Sequence, residues 1–335
     1  MPLDRLARRL LHLISVLLGV TVVVFLMMQA TPGDPAEIML AGQNASAQTF
    51  AALRHDMGLD VPLTVRFFHY LAHAMTGDFG QSFFQRRPVL AVIAERLPAT
   101  IELSVAALLL ALVVAIPLGV AAAVRRGGWL DRLATAGALL GVSLPGFWFG
   151  ILLLIGFAVQ LHLLPISGEI DYALAPPHIT GFVVIDAILS GRPASLADAL
   201  AHLVLPAITL GLPTAAVLMG VVRASMQEVL RQDYVLFAEA KGLSRSRVLL
   251  VHALKNALLP AVSVAALETG ALLGGNMIIE TVFGWPGLGR LVVESIFQRN
   301  YPLVQTAVLL YAATYVLINL AADLLYAVLN PRVRM

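Results

Sequence analysis

Six long apolar runs decide what this chain can fold into. Leu10 to Met28, Leu103 to Val124, Leu133 to Val159, Leu203 to Val222, Leu258 to Ile279 and Leu303 to Leu329 can each cross a hydrocarbon core of roughly 30 Å as a helix. A lipid interior offers backbone amides no water, so each run must satisfy its own hydrogen bonds. The reading is therefore an all-α membrane protein with six transmembrane helices. Composition agrees, since 59% of the 335 residues are hydrophobic and 13% are charged, against roughly 25% charged in a soluble domain. Pro117, Pro145, Pro206 and Pro213 lie inside the runs. In a bundle, neighbouring helices re-satisfy the carbonyls they free, so they predict kinks rather than loops. The first run follows Arg5, Arg8 and Arg9 as a signal peptide would. Its apolar core exceeds the roughly 7 to 15 residues of such a signal, so it is expected to stay as the first membrane helix.

Charge sets the orientation. With the N-terminus inside, the inner segments hold Arg5, Arg8, Arg9, Arg125, Arg126, Arg132, Arg223, Arg231, Lys241, Arg245, Arg247, Lys255, Arg332 and Arg334, the larger share of the 22 Lys and Arg. Most of the others fall in one long outer segment, Thr31 to Pro98, which the positive-inside rule discounts. Both termini are expected to be cytoplasmic. The net charge of +2 is spread among apolar segments instead of forming one face, so nucleic acid is not an expected partner. The absence of cysteine removes disulfides, thiolate metal sites and thiol nucleophiles. Thr31 to Pro98 and His162 to about His202 are too long for simple turns, and outer segments of that length usually have work to do.

The inner segment from Arg223 to Asn256 is polar yet helix-compatible, with Val229, Leu230, Val235, Leu236 and Val248 to Val251 set among charges. It reads as short amphipathic helices at the membrane surface. Gly242 lies between two of them, where a missing Cβ permits a sharp turn. The stretch Asp233-Tyr-Val-Leu-Phe-Ala-Glu-Ala-Lys-Gly-Leu243, followed by His252-Ala-Leu-Lys-Asn256 and Pro260, resembles the coupling loop of the permease subunits of binding-protein-dependent ABC importers. Only Ala238 and Gly242 match the general Glu-Ala-Ala…Gly pattern. The departure is typical of the peptide branch, whose version reads roughly Ala-Lys-Gly-Leu and then His-x-Leu-Arg-Asn; Glu239 stands where that branch commonly has Arg.

The resemblance extends nearly end to end through Pro32-Gly-Asp-Pro35, Met57-Gly-Leu-Asp-Val-Pro62, Gly77-Asp-Phe-Gly-Gln-Ser82, Leu97-Pro-Ala-Thr-Ile-Glu102, Ser143-Leu-Pro-Gly-Phe-Trp148, Leu164-Pro-Ile-Ser-Gly168, His202 to Leu212, Phe283-Gly-Trp-Pro-Gly-Leu-Gly-Arg290 and Asn330-Pro-Arg-Val-Arg334. Singly each is weak; in this order they are specific. The outer insertion with Ile179-Thr-Gly-Phe182 looks most like that of dipeptide permeases, with glutathione, longer-peptide and nickel permeases as relatives.

The resemblance implies a type I ABC importer transmembrane domain in a bacterial inner membrane. Residues 1–30 would be the tail and first helix, 31–98 a periplasmic region, and 331–335 a cytoplasmic tail. Residues 99–330 would form the transmembrane domain, with helices about 101–124, 133–160, 203–222, 258–280 and 303–329, a periplasmic insertion at 162–201 and the coupling loop at 223–257. It further implies Tyr234, Ala238, Glu239, Ala240, Lys241, Gly242, Leu243, Arg247, His252 and Asn256 as the ATPase-coupling surface. The implied partners are a second homologous permease, two ATP-binding subunits that hold ATP and Mg, and a periplasmic solute-binding protein. No cofactor is expected in this chain.

Other features have two readings each. Gly137 with Gly141, Gly146 with Gly150, and Gly270 with Gly274 place small residues four apart, which lets membrane helices approach closely. Glu268 lies mid-run, where a charge costs about 2.5 to 3.5 kcal/mol on insertion scales. It either faces a polar cavity, lining the translocation path and attracting a peptide's ammonium end, or makes a packed hydrogen bond. Asn319 and Asp323, one turn apart, are interhelical hydrogen-bonding groups or further path-lining residues. His69 and His73 have the spacing of a zinc pair, but Tyr70 and Leu71 stand where a catalytic glutamate would be, so no metal site is expected.

No Gly-x-x-x-x-Gly-Lys-Ser/Thr stretch occurs, so a phosphate-cradling loop would have to come from another chain. The apolar runs hold no convincing catalytic pair of an intramembrane enzyme. The inverted repeats with interrupted helices of many ion-coupled transporters are likewise not evident. The expected function is a non-catalytic permease for di- or oligopeptides, with glutathione or nickel as the alternative cargo and an ion-coupled secondary transporter as the rival class.

Overall fold

A computed structural model of the chain describes residues 3–41 and 46–329. In chain order its helices are α1 (Leu3–Ala30), α2 (Pro35–Leu40), α3 (Ala47–Asp56), α4 (Leu63–Met75), α5 (Val89–Val124), α6 (Trp129–Ser143), α7 (Gly146–Leu153, continued by π-helical turns to Gln160), α8 (Val183–Leu189), α9 (Pro193–Val229), α10 (Asp233–Ala240), α11 (Arg245–Arg247, continued by π-helical turns to Ala253), α12 (Leu254–Gly275), α13 (Met277–Val282), α14 (Leu288–Phe297) and α15 (Tyr301–Leu329). Among the described residues no β-strand occurs; a lone antiparallel bridge joins Gln81 and Pro88. Five helical stretches are long and apolar enough to span a membrane, and a sixth span is counted if the bent α6–α7 pair is one crossing.

The apolar runs are embedded in longer helices. The span expected at 101–124 begins at Val89, and that expected at 203–222 runs from Pro193 to Val229. Apolar run length measures the lipid-facing part of a helix, not its polar extensions. Pro117, Pro206 and Pro213 stay inside continuous helices, whereas Pro145 does not. The residue before a proline is pushed out of the α region. Leu144 accordingly has ψ 132°, and the pair turns through 104°. Within the span expected at 133–160 the helix thus breaks at Leu144–Pro145 into α6 and α7.

Two compact units emerge, Met1–Pro98 with Pro286–Thr314 and Ala99–Trp285 with Tyr315–Met335. In the first, Met28, Leu59, Tyr301 and Val304 form a buried core flanked by Val24, Met57 and Phe83. Family motifs act here as caps and ties. Asp34 N-caps α2 by accepting from Ala36 N at 2.9 Å, with Pro35 at the first helical position. Asn300 donates to Ser82 Oγ at 2.7 Å and accepts from Phe83 N at 3.1 Å.

The second unit is built on α9. Ala111 and Ala115 of α5 pack on Ala215, Leu218 and Met219, and small residues set the distance. A Cβ on Gly211 would lie 2.6 Å from the Ala107 carbonyl oxygen, and one on Gly119 would lie 2.9 Å from Val222 Cβ. Of the glycines expected to pack, Gly150 meets Thr209 and Phe283, Gly270 meets Tyr315, Gly141 meets Ala216 and Gly146 just reaches Ile279, while Gly137 and Gly274 meet nothing among the described residues. Arg223 of α9 makes a two-pronged ion pair with Asp131 of α6, at 2.5 and 3.1 Å. That pair joins the ends of the two helices that charge asymmetry places inside.

Candidate functional site

The segment between α9 and α12 is a compact knuckle. Val235 and Ala238 of α10 are buried with Val248, and Val229, Leu230 and Leu243 pack against them. These positions put one apolar face of α10 down on the unit and leave the opposite face outward. On that outward face Tyr234, Leu236 and Phe237 are exposed, the last by 61%. Lys241 stands over the Phe237 ring, its Nζ 4.5 Å from the centroid, a contact that keeps the charge at the tip.

The turn itself depends on Gly242. Its φ is +77°, a left-handed value that β-branched residues avoid. Lys241 N donates to Phe237 O at 3.1 Å and Gly242 N to Glu239 O at 2.9 Å, so the last carbonyls of α10 are satisfied as the chain reverses. Among the described residues no atom lies within 4 Å of a Cβ built at Gly242. The glycine is required by backbone conformation, not by crowding.

The knuckle is tied to the following helix. Asn256 Nδ2 donates to Tyr234 Oη at 2.8 Å, and Ala253 and Ala257 are fully buried against Met226 and Ala123. Glu239, Ala240 and Arg247 are exposed around the tip, and His252 is half-buried beside it. Tyr234, Ala238, Glu239, Ala240, Lys241, Gly242, Leu243, Arg247, His252 and Asn256 are thus brought into one feature.

Two of the three membrane-depth candidates, Glu268 and Asn319, have described side chains. Thr214 Oγ1 donates to Glu268 Oε2 at 3.4 Å, a long contact for a half-buried carboxylate. Asn319 Oδ1 is buried without a partner among the described residues, and the side chain of Asp323 lies outside them.

Sequence reasoning missed a buried polar chain beside these. Glu280 is fully buried and accepts from Thr100 Oγ1 at 2.8 Å. Asn276 donates to Ser104 Oγ at 3.1 Å, and Ser104 donates to the Leu272 carbonyl at 3.3 Å. These bonds fix α5 against the break between α12 and α13, and Trp285 Nε1, donating to Ala99 O at 2.9 Å, closes the same joint. A signal was present, because Thr100 and Trp285 sit within the family motifs and Asn276 and Glu280 interrupt the end of an apolar run. Nearby, Glu102 Oε1 accepts from Val184 N at 2.8 Å and anchors the start of α8. Asp186 of α8 collects four bonds, from Ile179 N at 3.1 Å, Thr180 N at 2.8 Å, Gly181 N at 3.1 Å and Thr180 Oγ1 at 2.6 Å. Burial pushes the Asp186 carboxyl up, but the Thr180 hydroxyl and the three amides outweigh it and hold the group below its ordinary value. Among the described residues no three His, Cys, Asp or Glu side chains gather as a metal site; His73 bonds Asp78 at 3.2 Å.

Apolar spanning helices with a glycine-reversed knuckle between two of them define a multi-pass membrane component. Residues 115–335 match the model of the binding-protein-dependent transport system inner membrane component, and residues 3–104 match that of the N-terminal membrane component of such systems; the chain belongs to this family. It is a multi-pass permease of the inner membrane, in a class of importer that works with ATPase and binding-protein partners. The chain is 43% identical over 335 residues to the dipeptide transport system permease protein DppB of Escherichia coli (strain K12), covering 99% of each. It is 42% identical over 334 residues to the di/tripeptide permease protein DppB of Pseudomonas aeruginosa, with 99% of each covered. The glutathione permease protein GsiC of Salmonella typhimurium is 42% identical over 332 residues, again with 99% of each covered. Among solved structures, the inward-facing MetNI methionine ABC transporter superposes with a TM-score of 0.55 at 16% identity, covering 72% of this chain and 97% of that one. That likeness concerns the fold alone.

Proposed function

We propose that the chain forms one half of the translocation pathway of an ATP-driven importer for di- or oligopeptides, and that it performs no chemistry of its own. The observation that carries the coupling role is the knuckle at Tyr234–Leu243, an exposed apolar tip reversed at Gly242 and tied through Asn256 to α12. A short amphipathic helix of this kind fits a groove on a partner. ATP and Mg are held by two partner ATPases; their closure moves the knuckle as a lever and switches access across the membrane. A second homologous permease completes the pathway. With both termini in the cytoplasm, residues 31–98 and 162–201 face the periplasm and receive the binding protein, and residues 99–330 are the transmembrane domain.

Peptide cargo is supported by the two peptide permeases among the relatives. Glutathione is the second reading, because the glutathione permease is nearly as similar and glutathione is itself a tripeptide. The deciding measurement is the ligand spectrum of the binding protein encoded beside this subunit, tested with dipeptides, tripeptides, glutathione and nickel. Dipeptide binding is the expected result; binding of nickel alone would overturn the peptide reading. Within the pathway, Glu268, with only a 3.4 Å contact to Thr214, is available to attract a peptide's ammonium group, and Asn319 and Asp323 are further path-lining candidates. Glu268→Gln is expected to raise the uptake KM for peptides with a free amino terminus and to leave that for N-acetylated peptides unchanged. An unchanged KM for both would remove Glu268 from the path.

A further inference from the structure

A half-buried cation without an acidic partner stands in the first unit. Arg66 of α4 donates from Nη1 to Gln29 Oε1 at 3.2 Å and lies 6.0 Å over the ring of Tyr301, and burial lowers its pKa from the ordinary arginine value. Among the described residues it has no ion pair; the neighbouring Asp34 is taken by Arg54 at 3.2 Å. Two further donors beside it are idle. Gln29 Nε2 and the Tyr70 hydroxyl are buried without hydrogen-bond partners. Arg66, His69 and Tyr70 line a cleft of about 340 Å³ whose remaining wall includes Phe25, Phe83, Gln305 and Asp78, the last bonded to His73 at 3.2 Å. A desolvated guanidinium with idle donors around it is costly as it stands and matches an anion.

The cleft has an apolar neighbour. On the other side of Phe25, a second groove of about 210 Å³ is lined by Val22, Leu26, Leu63, Thr64, Phe67 and Phe68 and exposes no polar surface. Phe25 lines both spaces, and its ring meets that of Phe67 edge to face at 5.2 Å. The α1 lining of the two spaces, Val22, Phe25 and Leu26, falls in the second half of the candidate span Leu13–Ala30, and a span of that length ends at the headgroups. Anionic recognition on one side of Phe25 and an apolar channel on the other match an amphiphile held at the level of the headgroups. We infer that α1 and α4 bind a phospholipid, its phosphodiester at Arg66 and one acyl chain along Thr64, Phe67 and Phe68. The inference rests on the chain being a membrane permease and stands whatever the cargo is.

The test uses the full importer, purified in mild detergent and stripped of lipid, with native mass spectrometry as the readout. Added phosphatidylglycerol is expected to bind, with occupancy falling at least about tenfold in Arg66→Gln, the fold-change of about 1.4 kcal/mol. Inorganic phosphate at equal concentration is expected not to displace it. Displacement would show a soluble-anion site, and equal occupancy in Arg66→Gln would show that Arg66 holds no lipid; either result overturns the inference. Because Arg66→Gln could disturb α4, a benzoylphenylalanine photoprobe at Thr64 gives an independent readout. Cross-linking to phospholipid supports the site, and cross-linking to a polypeptide overturns it.

Discussion

Residue-scale behaviour is clearest at Gly242, because its surroundings are empty and only its φ constrains it. A non-glycine residue held left-handed costs roughly 1–2 kcal/mol, least for asparagine and most for β-branched side chains. Gly242→Val is therefore expected to lower ATP-dependent uptake by about tenfold or more, the equivalent of about 1.4 kcal/mol, while insertion and assembly persist. Gly242→Asn should keep most of the uptake. Vesicle uptake set against membrane-fraction immunoblots checks both, and full uptake by the valine variant would separate the knuckle from coupling. Asp186 gives a second prediction, with the sign fixed by its lowered pKa. Its bonds stabilise the outer insertion at pH above the unfolded aspartate value and are lost only as pH falls through the still lower folded value. Replacing it with asparagine removes charge-assisted acceptance from the four donors and should cost about 1–3 kcal/mol at neutral pH. Hydrogen exchange of residues 171–192 is expected to rise in Asp186→Asn at pH 7, and the wild-type insertion is expected to stay protected down to pH values below the ordinary aspartate pKa.

Helices in this protein are held apart by distances that glycines set. At Gly211 a Cβ would meet the Ala107 carbonyl at 2.6 Å, and backbone cannot swing away as a side chain can. Gly211→Ala should therefore separate α5 from α9 at about 1–3 kcal/mol, lowering the thermal unfolding midpoint of the purified complex. Gly137→Ala is the opposite case, since its Cβ meets nothing among the described residues and alanine favours helix by about 1 kcal/mol. Its midpoint should hold or rise; a fall would show that another subunit packs on that face. The same contrast marks what the sequence could disclose. Run length made the spans legible, and amphipathic patterning around Gly242 made the knuckle's short helices legible, because both follow from local chemistry. Spacing could not show that Gly141, Gly150 and Gly270 pack while their equally spaced partners Gly137 and Gly274 do not, nor that Gly211 and Gly119 carry the tightest approach. Those facts depend on helix rotation, which tertiary contacts decide. Glu280 was hidden for a similar reason: its partner Thr100 is far away in sequence, and no local pattern announces a bond between them.

For the molecule as a whole, the decisive property is dependence on other chains. The apolar tip around Leu236 and Phe237 is exposed in the isolated chain, and such a patch gains from burial at roughly 25 cal/mol per Å² of apolar area covered. Nothing in this chain offers a phosphate-cradling loop that could turn ATP into movement. Reconstituted alone in liposomes, the protein should therefore give no concentrative uptake of a labelled dipeptide, with or without a proton gradient. Adding the second permease and the ATPases should give ATP hydrolysis that rises severalfold with the loaded binding protein, together with uptake that requires it. Phe237→Asp should weaken ATPase retention during purification, because a charge would then enter the apolar contact, whereas the spans and their insertion are untouched. Gradient-driven uptake by the isolated chain would place it among ion-coupled carriers, and unchanged ATPase retention in Phe237→Asp would move the docking surface away from the knuckle.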